Sequence, residues 1–390
     1  MPWERTCPVN ERMQFIARLQ QGDRMTDLCS EFGISRKTGH KFKKRFEAYG
    51  PDAFYDQARV PRRIPHRTSV AIRELVIAAR KDHPTWGPKK LKVVLERDHA
   101  GVRLPAASTI GEILKAAGLV ACRRRRPKRG AKPTDRRVST KPNELWCADF
   151  KGEFRLGNGR YCYPLTISDA FSRYLIACVA LDGTKGGPAQ TVFEEVFEEY
   201  GLPEAILTDN GAPFASSGLA GLSMLSASWV RLGVAPERIE PGHPEQNGKH
   251  ERMHRTLKAE TTRPAGGNML QQQERFDHFR HEYNQERPHE ALEQQTPASA
   301  YEPSPRKLAD AQGEPEYPLH DRVVTVNASG SISLPKGITR SRQAYVSGAL
   351  IGQPVGLREL DDGRWQVNFL DLELGHVDPE VGFDPAPELA

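Results

Sequence analysis

Two aspartates stand at the ends of apolar stretches, where a carboxylate has a chemical use. Asp149 follows residues 145–148, and Asp209 follows residues 205–208. Two carboxylates side by side repel each other, so they stay ionised chiefly where a divalent cation neutralises them. Ligands that are all oxygen favour Mg²⁺ or Mn²⁺, and a third carboxylate would complete a site for two ions about 3.5–4 Å apart. The two aspartates therefore predict a metal site, provided that the fold brings them together.

Two glutamates are candidates for the third carboxylate. Glu245 stands 36 positions after the second aspartate, and Glu251 stands 42 positions after it. Glu245 falls in a loop rich in Pro and Gly, whereas Glu251 falls inside a predicted helix. That helix can start at Asn247 and would bury Met253 and Leu257. Glu251 is therefore the preferred ligand, and Glu245 is the alternative.

The same helix carries two cations near Glu251. Arg255 and Lys258 follow it at spacings of four and seven residues, so all three side chains share one helix face. This spacing predicts phosphate-binding cations beside the metal site.

Residues 143–300 have the pattern of an α/β domain that could position these carboxylates. Apolar and β-branched stretches predict an antiparallel meander of three strands, at residues 145–152, 161–168 and 174–181. An amphipathic helix follows, from Val192 to Tyr200, and then a short strand at residues 205–209. The order β-β-β-α-β is that of the ribonuclease-H-like fold, whose first and fourth strands are neighbours. That fold would bring Asp149 and Asp209 together.

The charge of the chain is divided unevenly along its length. Residues 1–142 hold 33 Lys and Arg against 14 Asp and Glu, a net +19, whereas residues 143–390 hold 23 against 36, a net −13. A basic arm on an acidic body is typical of a protein that binds a polyanion, and nucleic acid is the first candidate. The chain has no apolar stretch of roughly 18 residues and no apolar signal region. We therefore expect a soluble, cytoplasmic protein with no membrane partner.

A helix-turn-helix unit is predicted within residues 1–60. Gly33 supplies the turn, and Ser35 offers a side-chain oxygen to cap the second helix. Phe42 can pack inward, while Gly39 weakens the helix by roughly 1 kcal/mol relative to Ala. The outward residues of this helix are predicted to contact phosphates or base edges: Arg36, Lys37, His40, Lys43 and Lys44.

Residues 61–121 predict a second helix-turn-helix unit, with a winged form as one option. Trp86 is expected in its core, and Ser108 or Thr109 is expected to cap the third helix. Glu112 would complete a capping box with Thr109. Residues 122–142 predict a linker that orders on DNA. Its basic residues are further predicted DNA contacts: Arg123, Arg124, Arg125, Arg126, Lys128 and Arg129.

The C-terminal part of the chain has a β pattern. Short alternating stretches, with turns at residues 329–330 and 362–363, predict strands over residues 318–382. They favour a small SH3-like β-barrel, which could contact DNA or protein. Its three arginines, Arg340, Arg342 and Arg358, do not decide between these partners. The chain as a whole is predicted to be multidomain, with all-α, α/β and β parts in that order.

Five short motifs together resemble one family. They read WCADFKG from Trp146, SDAFSRY from Ser168, TDNG from Thr208, GHPEQNGKHER from Gly242 and YNQERPHEAL from Tyr283. These motifs are similar to those of DDE transposases with a retroviral-integrase-type core, and among them to the bacterial insertion-sequence 481 group. The Gly-x-x-Glu stretch places the family's last catalytic residue on Glu251. The 41 residues between Asp209 and Glu251 exceed the family's usual spacing.

Several polar residues within these motifs have open roles. Asp169 is predicted to be structural, pairing with Arg173. His243, Asn247 and His289 could surround the site, or could cap helices and pack.

The resemblance implies a DNA transposase. Asp149, Asp209 and Glu251 would hold two Mg²⁺, or Mn²⁺ in their place, to cut a phosphodiester and join the freed 3′-OH to a target strand. The implied partners are double-stranded DNA, both element ends and target, and at least one further copy of the chain. The implied location is the bacterial cytoplasm at the nucleoid. The alternatives are a catalytically silent DNA-binding regulator and a ribonuclease-H-type nuclease for hybrid strands, which would leave the helix-turn-helix units without a role.

Overall fold

The structure is a computed structural model, and it describes most of the chain. The described residues are 7–56, 67–120, 139–216, 218, 221–240, 243–334, 343–378 and 382–386. The chain divides into two compact units, Met1–Thr68 and Ser69–Ala390, and each has its own cores. Among the described residues, no helix is both long enough and apolar enough to cross a membrane.

The first unit consists of three helices and a closing turn. They are α1 (Pro8–Gln20), α2 (Met25–Glu31), α3 (Arg36–Tyr49) and a 3-10 turn (Gly50–Phe54). The predicted turn and cap are confirmed, because Gly33 has a φ of 62° and the Ser35 hydroxyl accepts a hydrogen bond from the Thr38 N–H at 3.2 Å. Phe42 packs against the buried core, as predicted.

Gly39 has a packing role in α3 that its position in the sequence does not indicate. A Cβ atom at this buried residue would lie 2.7 Å from Cys29 Sγ, 2.8 Å from Met25 Sδ and 3.1 Å from a ring carbon of Phe15. Real Cβ atoms do not approach other heavy atoms within 3.0 Å, so the neighbours would have to shift. The missing side chain therefore allows α3 to pack closely on α1 and α2, which offsets the weak helix propensity of glycine.

The second compact unit begins with the second helix-turn-helix unit. Its helices are α4 (Val70–Asp82), α5 (Pro88–Asp98) and α6 (Ala107–Ala116). Trp86 is 1% exposed in their shared core, as predicted. The predicted cap of the third helix is wrong, because α6 begins two residues before Thr109, with Ala106 at the N-cap and no side-chain hydrogen bond there. The described residues 67–120 contain no strand, so they show no wing.

A mixed β-sheet forms the centre of the second unit. Its strands are β1 (Leu145–Phe150), β2 (Phe154–Arg155), β3 (Tyr161–Asp169), β4 (Leu175–Leu181), β5 (Ala205–Thr208) and β6 (Ala235–Arg238). The order across the sheet is β4-β3-β1-β5-β6, and β2 pairs with the start of β3. β1 is antiparallel to β3 and parallel to β5. This arrangement confirms the predicted ribonuclease-H-like core and adds β6, whose sequence Ala-Pro-Glu-Arg lacks an apolar alternation.

Helices cover both faces of this sheet. They are α7 (Gly186–Tyr200), α8 (Met224–Arg231), α9 (Gly248–Thr261) and α10 (Met269–His281). On one face α7 and α8 pack around Trp146 and Trp229. On the other face α9 and α10 pack around Leu257 and Phe276. As predicted, Asn247 is the N-cap of α9, which buries Met253 and Leu257.

Asp169 has the structural role predicted for it, but with different partners. Its buried carboxylate accepts hydrogen bonds from the N–H groups of Asn143 and Ser172 and from the Ser172 hydroxyl, at 2.7–2.9 Å. The Arg173 guanidinium donates instead to the carbonyl of Ala170 at 2.7 Å. Asp169 therefore stabilises the turn between β3 and β4.

A short helix, α11 (Leu308–Ala311), precedes the C-terminal β region. Its strands are β7 (Arg322–Thr325), β8 (Ser331–Ser333), β9 (Gln343–Tyr345), β10 (Pro354–Glu359), β11 (Trp365–Phe369), β12 (Leu372–Asp378) and β13 (Gly382–Pro385). One antiparallel sheet has the order β13-β12-β11-β10-β7, and β8 pairs with β9. Within the described residues neither sheet closes on itself, so the SH3-like barrel is not confirmed. Arg358 is exposed on β10, whereas Arg340 and Arg342 lie outside the described residues.

Helix α8 joins this β region to the central sheet. Leu225 and Trp229 belong to the core between α7 and the central sheet. Leu222 and Ala227 belong instead to the apolar cluster under the C-terminal strands, together with Phe369. The α8 segment is therefore buried on two sides.

The substitution Gly39→Ala tests the close packing of α3. We expect it to lower the free energy of unfolding of the first unit by about 1–3 kcal/mol, because the added methyl group must displace its neighbours. The matched control is Gly111→Ala in α6, whose Cβ would lie 3.6 Å from Pro88 Cγ, an ordinary contact. Hydrogen exchange of the full chain in urea would report α3 and α6 separately. Equal protection of α3 in both variants would contradict the packing role.

Candidate active site

The parallel pairing of β1 with β5 places two carboxylates on neighbouring strands. Cys147 is opposite Leu207 in this pairing, and Asp149 and Asp209 each follow two residues later. Burial raises the pKa of Asp149 to about 7, and the negative charges of Asp209 and Glu251 act in the same direction. The structure therefore brings Asp209 and Glu251 each within electrostatic reach of Asp149.

An open cleft of about 380 Å³ lies beside Asp149. Its lining residues come from β1, the segment after it and α9: Asp149, Phe150, Lys151, Glu251, His254, Arg255 and Lys258. Glu251 is exposed in the first turn of α9, and Arg255 and Lys258 line the same cleft, as their spacing predicts. Cations and carboxylates thus share one surface, which suits a substrate with phosphate groups.

Glu245, His243 and His289 are not among the residues that line this cleft. Glu245 belongs to a 3-10 turn, Pro244–Asn247, and its side chain lies outside the described part of the structure. His243 is 3.9 Å from Glu240, between Nε2 and Oε2. His289 packs edge-on against Tyr283, with ring centroids 4.8 Å apart.

Two buried histidines of α9 contact the site, and neither is singled out from the sequence. The Nδ1 atom of His254 lies 3.6 Å from Oδ2 of Asp149. His250 Nδ1 lies 2.8 Å from the Ser168 hydroxyl, and the Nε2 atoms of both histidines lie within 2.8 Å of the Thr166 hydroxyl. Their spacing of four residues on the buried face of α9 is a signal that could have indicated them.

Burial keeps both histidines neutral. It lowers the pKa of His250 to about 3 and that of His254 to about 2. One ligand atom each from Asp149, His250 and His254 lies within 4.8 Å of the others, so this group could in principle hold a metal ion. It would then have to give up the hydrogen bonds of Thr166 and Ser168. Asp149 and Glu251 line the cleft, and together with Asp209 they make an all-carboxylate set that is better suited to Mg²⁺.

Known families match most of the chain in successive pieces. The family described as "Integrase core domain" matches residues 139–244 and again residues 232–297. A "Helix-turn-helix domain" matches residues 11–63, and a "Homeodomain-like domain" matches residues 38–114.

The relatives include proteins of bacterial mobile elements. The chain is 29% identical over 252 residues to the "Insertion element IS407 uncharacterized 31.7 kDa protein" of Burkholderia multivorans, covering 63% of this chain and 85% of the relative. It is 26% identical to the "Insertion element IS476 uncharacterized 39.2 kDa protein" of Xanthomonas euvesicatoria, covering 60% of this chain and 66% of the relative. These matches support a DDE transposase with an integrase-type core, an enzyme of the polynucleotidyl transferase class.

A viral relative matches less than half of this chain. The "Gag-Pol polyprotein" of baboon endogenous virus is 31% identical over 178 residues, which cover 45% of this chain. The chain spans only 10% of that polyprotein's length. The membership of this transposase in the insertion-sequence 481 group stays a prediction.

Of the predicted DNA-contacting residues, the structure describes those on α3 but not those in the basic linker. The side chains on α3 are exposed: Arg36, Lys37, His40, Lys43 and Lys44. The contacts predicted in the basic linker lie outside the described residues: Arg123, Arg124, Arg125, Arg126, Lys128 and Arg129.

The Arg-Pro-His motif of the transposase contacts the second helix-turn-helix unit. Arg287, 7% exposed, donates a hydrogen bond to Glu260 of α9 at 3.0 Å and lies 3.4 Å from the Thr85 hydroxyl. His83 lies 2.9 Å from Glu282, just beyond α10. These contacts tie the turn between α4 and α5 to the far end of α9.

The raised pKa of Asp149 has a consequence for stability. A carboxylic acid whose pKa is raised in the folded state destabilises the fold. This penalty is complete above the folded-state pKa, shrinks as the pH falls below it, and disappears only below the pKa of the unfolded chain. We therefore expect Asp149→Asn to stabilise the metal-free protein at pH 8, by about 4 kcal/mol at most. The gain should shrink towards pH 6. The exposed Asp182→Asn serves as the control, and thermal unfolding in EDTA across this pH range is the measurement. A difference that does not change with pH would contradict the raised pKa.

Proposed function

We propose that the chain is a DNA transposase that binds the ends of its element and catalyses strand cleavage and strand transfer. The observation that carries this proposal is the cleft of α9 and β1, which is lined by Asp149, Glu251 and three cationic side chains. The two helix-turn-helix units support DNA as the substrate. A silent regulator would need none of these carboxylates, and a nuclease for hybrid strands would leave both units without a role.

Asp149, Asp209 and Glu251 are proposed as the ligands of two Mg²⁺, with Mn²⁺ as a substitute. The donor set fits these ions, because all three groups are carboxylates. Burial raises the pKa of Asp149 most, and the neighbouring charges of Asp209 and Glu251, which a cation would neutralise, raise it further. When bound, such ions supply Lewis-acid activation of water and stabilise charge on the phosphoryl group.

The remaining residues of the cleft are proposed to hold the DNA. Arg255 and Lys258 would bind the phosphate backbone from α9, and Lys151 would bind it from the opposite wall. A phosphodiester at the element end, held between these cations and the carboxylates, would be positioned for attack by water, which leaves a 3′-OH and a 5′-phosphate. A phosphodiester of the target held in the same place would then be attacked by that 3′-OH, and the 3′-oxygen of the cut target strand would leave. No covalent link between DNA and protein is needed.

Residues outside the core are proposed to recognise and hold the element. The basic face of α3 would enter the major groove, and the basic linker at residues 122–142 would bind the backbone. We propose the domain limits 1–60, 61–121, 143–300 and 318–382, with the last closing as an SH3-like barrel. Two ends must be held together, so at least a dimer on DNA is proposed, at the nucleoid in the bacterial cytoplasm.

The catalytic assignment can be tested with labelled duplexes that carry the DNA flanking the gene. With Mg²⁺, we expect the full chain to produce discrete 3′-OH ends and joined strands. Asp149→Asn, Asp209→Asn and Glu251→Gln should lose both products and keep DNA binding, because each lacks one ligand charge. Glu245→Gln is the matched control and should keep them.

Other outcomes of this assay would reject parts of the proposal. Loss of products with Glu245→Gln and retention with Glu251→Gln would move the third ligand to Glu245. Binding without cleavage by the unmodified chain would favour a regulator, and a preference for RNA–DNA hybrids would favour the nuclease.

The role of α3 can be tested by the salt dependence of DNA binding. Each lysine that contacts phosphate contributes about one unit to the slope of log affinity against log salt. We therefore expect Lys37→Gln and Lys44→Gln in the full chain each to lower the slope by about 1. The exposed Lys307→Gln should leave it unchanged. Equal slopes for all three variants would reject α3 as the recognition helix.

A further inference from the structure

Four basic side chains lie where the second helix-turn-helix unit contacts α9 and the segment after α10. They are Arg173 in the turn between β3 and β4, Lys249 and Arg252 at the start of α9, and Lys90 in the first turn of α5. We call these four residues the basic patch. Lys249 and Arg252 are exposed, and the other two are partly exposed. The cleft beside Asp149 is lined by other residues.

The segment after α10 holds the basic patch together. The Asn284 side chain accepts a hydrogen bond from the Leu175 N–H at 2.8 Å and donates one to the Leu175 carbonyl at 2.9 Å, at the end of the turn between β3 and β4. The Glu290 carboxylate accepts a hydrogen bond at 2.6 Å from Lys89, which precedes the patch lysine of α5. The turn and the start of α5 are therefore attached to the same segment.

The charges of the basic patch are close enough to act on one another. Arg173 is within electrostatic reach of both Lys249 and Arg252. Burial lowers the pKa of Lys90 to about 7, and the charge of Arg287 acts in the same direction. Like charges that the fold holds together repel, so a bound anion would relieve this repulsion.

The acidic side chains near the basic patch have other partners. Glu290 pairs with Lys89, and Glu260 accepts a hydrogen bond from Arg287 at 3.0 Å. Asp169, beneath the turn, is 1% exposed and accepts the hydrogen bonds that stabilise that turn. These carboxylates are therefore already engaged, and they leave the basic patch available to an anion from outside.

The basic patch also has hydrogen-bond donors without partners. Within the part of the chain that the structure describes, none of its four side chains forms an ion pair. The guanidinium of Arg173 has five N–H groups, and its hydrogen bond among the described residues goes to the Ala170 carbonyl. Arg173 has a φ of 65°, a conformation that glycine adopts at lower energy. An arginine at this position is therefore explained better by its side chain than by its backbone.

A row of cations on α9 joins the basic patch to the cleft. Lys249, Arg252, Arg255 and Lys258 follow one another at spacings of three residues, so they are neighbours along the helix surface. The last two line the cleft, and the first two belong to the basic patch. The row spans about 14 Å of the helix axis. That length matches about four successive phosphates of one DNA strand, at about 3.4 Å each.

We propose that the basic patch is a second DNA-binding surface, which holds the backbone of the element-end duplex between the cleft and the second helix-turn-helix unit. This inference rests on the proposed function insofar as the bound polyanion is DNA. Lysine and arginine contacts to phosphates position a duplex without reading its sequence. The occupant is the element end rather than the target, because Lys90 belongs to a unit proposed to bind the element.

The first experiment measures binding of the full chain to a labelled duplex that carries the DNA flanking the gene, in EDTA so that no strand is cut. Lys249→Gln, Arg252→Gln and Lys90→Gln each remove one charge of the basic patch. We expect each to lower the slope of log affinity against log salt by about 1, and to weaken binding roughly eightfold at about 0.1 M salt. The exposed Lys307→Gln is the matched control and should change neither quantity.

A charge-preserving variant separates charge from structure. Arg252→Lys keeps the positive charge and should retain the slope of the unmodified chain. A loss of slope in Arg252→Lys equal to that in Arg252→Gln would reject a phosphate contact at this position.

The second experiment locates the contacts along the duplex. Single phosphates are replaced in turn by neutral methylphosphonates, and the replacement that no longer weakens binding by a variant marks the phosphate which that residue contacts. We expect the phosphate of Arg252 to lie nearer to the cut end than the phosphate of Lys90, because Arg252 is nearer to the cleft.

Two further results would overturn the inference. One is equal salt slopes for the patch variants and Lys307→Gln. The other is unchanged binding of the element-end duplex together with loss of joining to a target duplex, which would assign the basic patch to the target. A failure of the proposed function would look different. In that case the slopes would fall as expected, while the unmodified chain with Mg²⁺ would produce no 3′-OH ends.

Discussion

The register of β1 against β5 is the constraint on which the rest of the site depends. Neighbouring residues of a strand point to opposite faces, so a slip of one residue would turn one of the two aspartates away from the other. Trp146 and Ile206 are opposite each other in this register, and both are fully buried in the core beneath α7. Apolar burial thus holds together two carboxylates that would otherwise move apart. The pKa of Asp149 is raised mainly by burial and further by the charge of Asp209.

Helix α9 supplies the other half of the site because its faces differ in character. Met253 and Leu257 pack on the sheet, and the two histidines on the same side are satisfied by hydroxyl groups of β3. The opposite side presents Glu251 with its neighbouring cations. A polar contact within a buried face restricts sliding more than apolar packing does, since a hydrogen bond has a defined distance and direction.

Much of this architecture could be predicted from the chain, and the exceptions have physical causes. Strands β1, β3 and β5, the buried Trp86 and the start of α9 follow from local patterns of apolar residues and caps. The edge strand β6 does not, because its partner β5 rather than its own composition determines its conformation. The start of α6 is missed because a preceding extended residue, and not a side-chain oxygen, begins that helix.

The buried histidines show a second limit of prediction from sequence. Their spacing is visible in the chain, but the hydroxyls that satisfy them lie more than 80 residues away. The packing role of Gly39 is equally hidden in the sequence, because it depends on sulfur atoms of α2 and a ring of α1 that lie against this glycine. Helix propensity alone predicts that this glycine destabilises α3, whereas the close packing of the three helices leaves no room for a larger residue.

Helix α9 carries functionally different contacts at its two ends. Its 14 residues form a rod about 21 Å long, with Glu251 in the first turn and Glu260 in the last. Glu260 accepts hydrogen bonds from Arg287 and from the Thr85 hydroxyl, so the second helix-turn-helix unit contacts the same helix that carries the proposed catalytic glutamate. Because an α-helix is stiff over this length, a tilt of one end also moves the other end. The second helix-turn-helix unit therefore contacts α9 at the end opposite to Glu251.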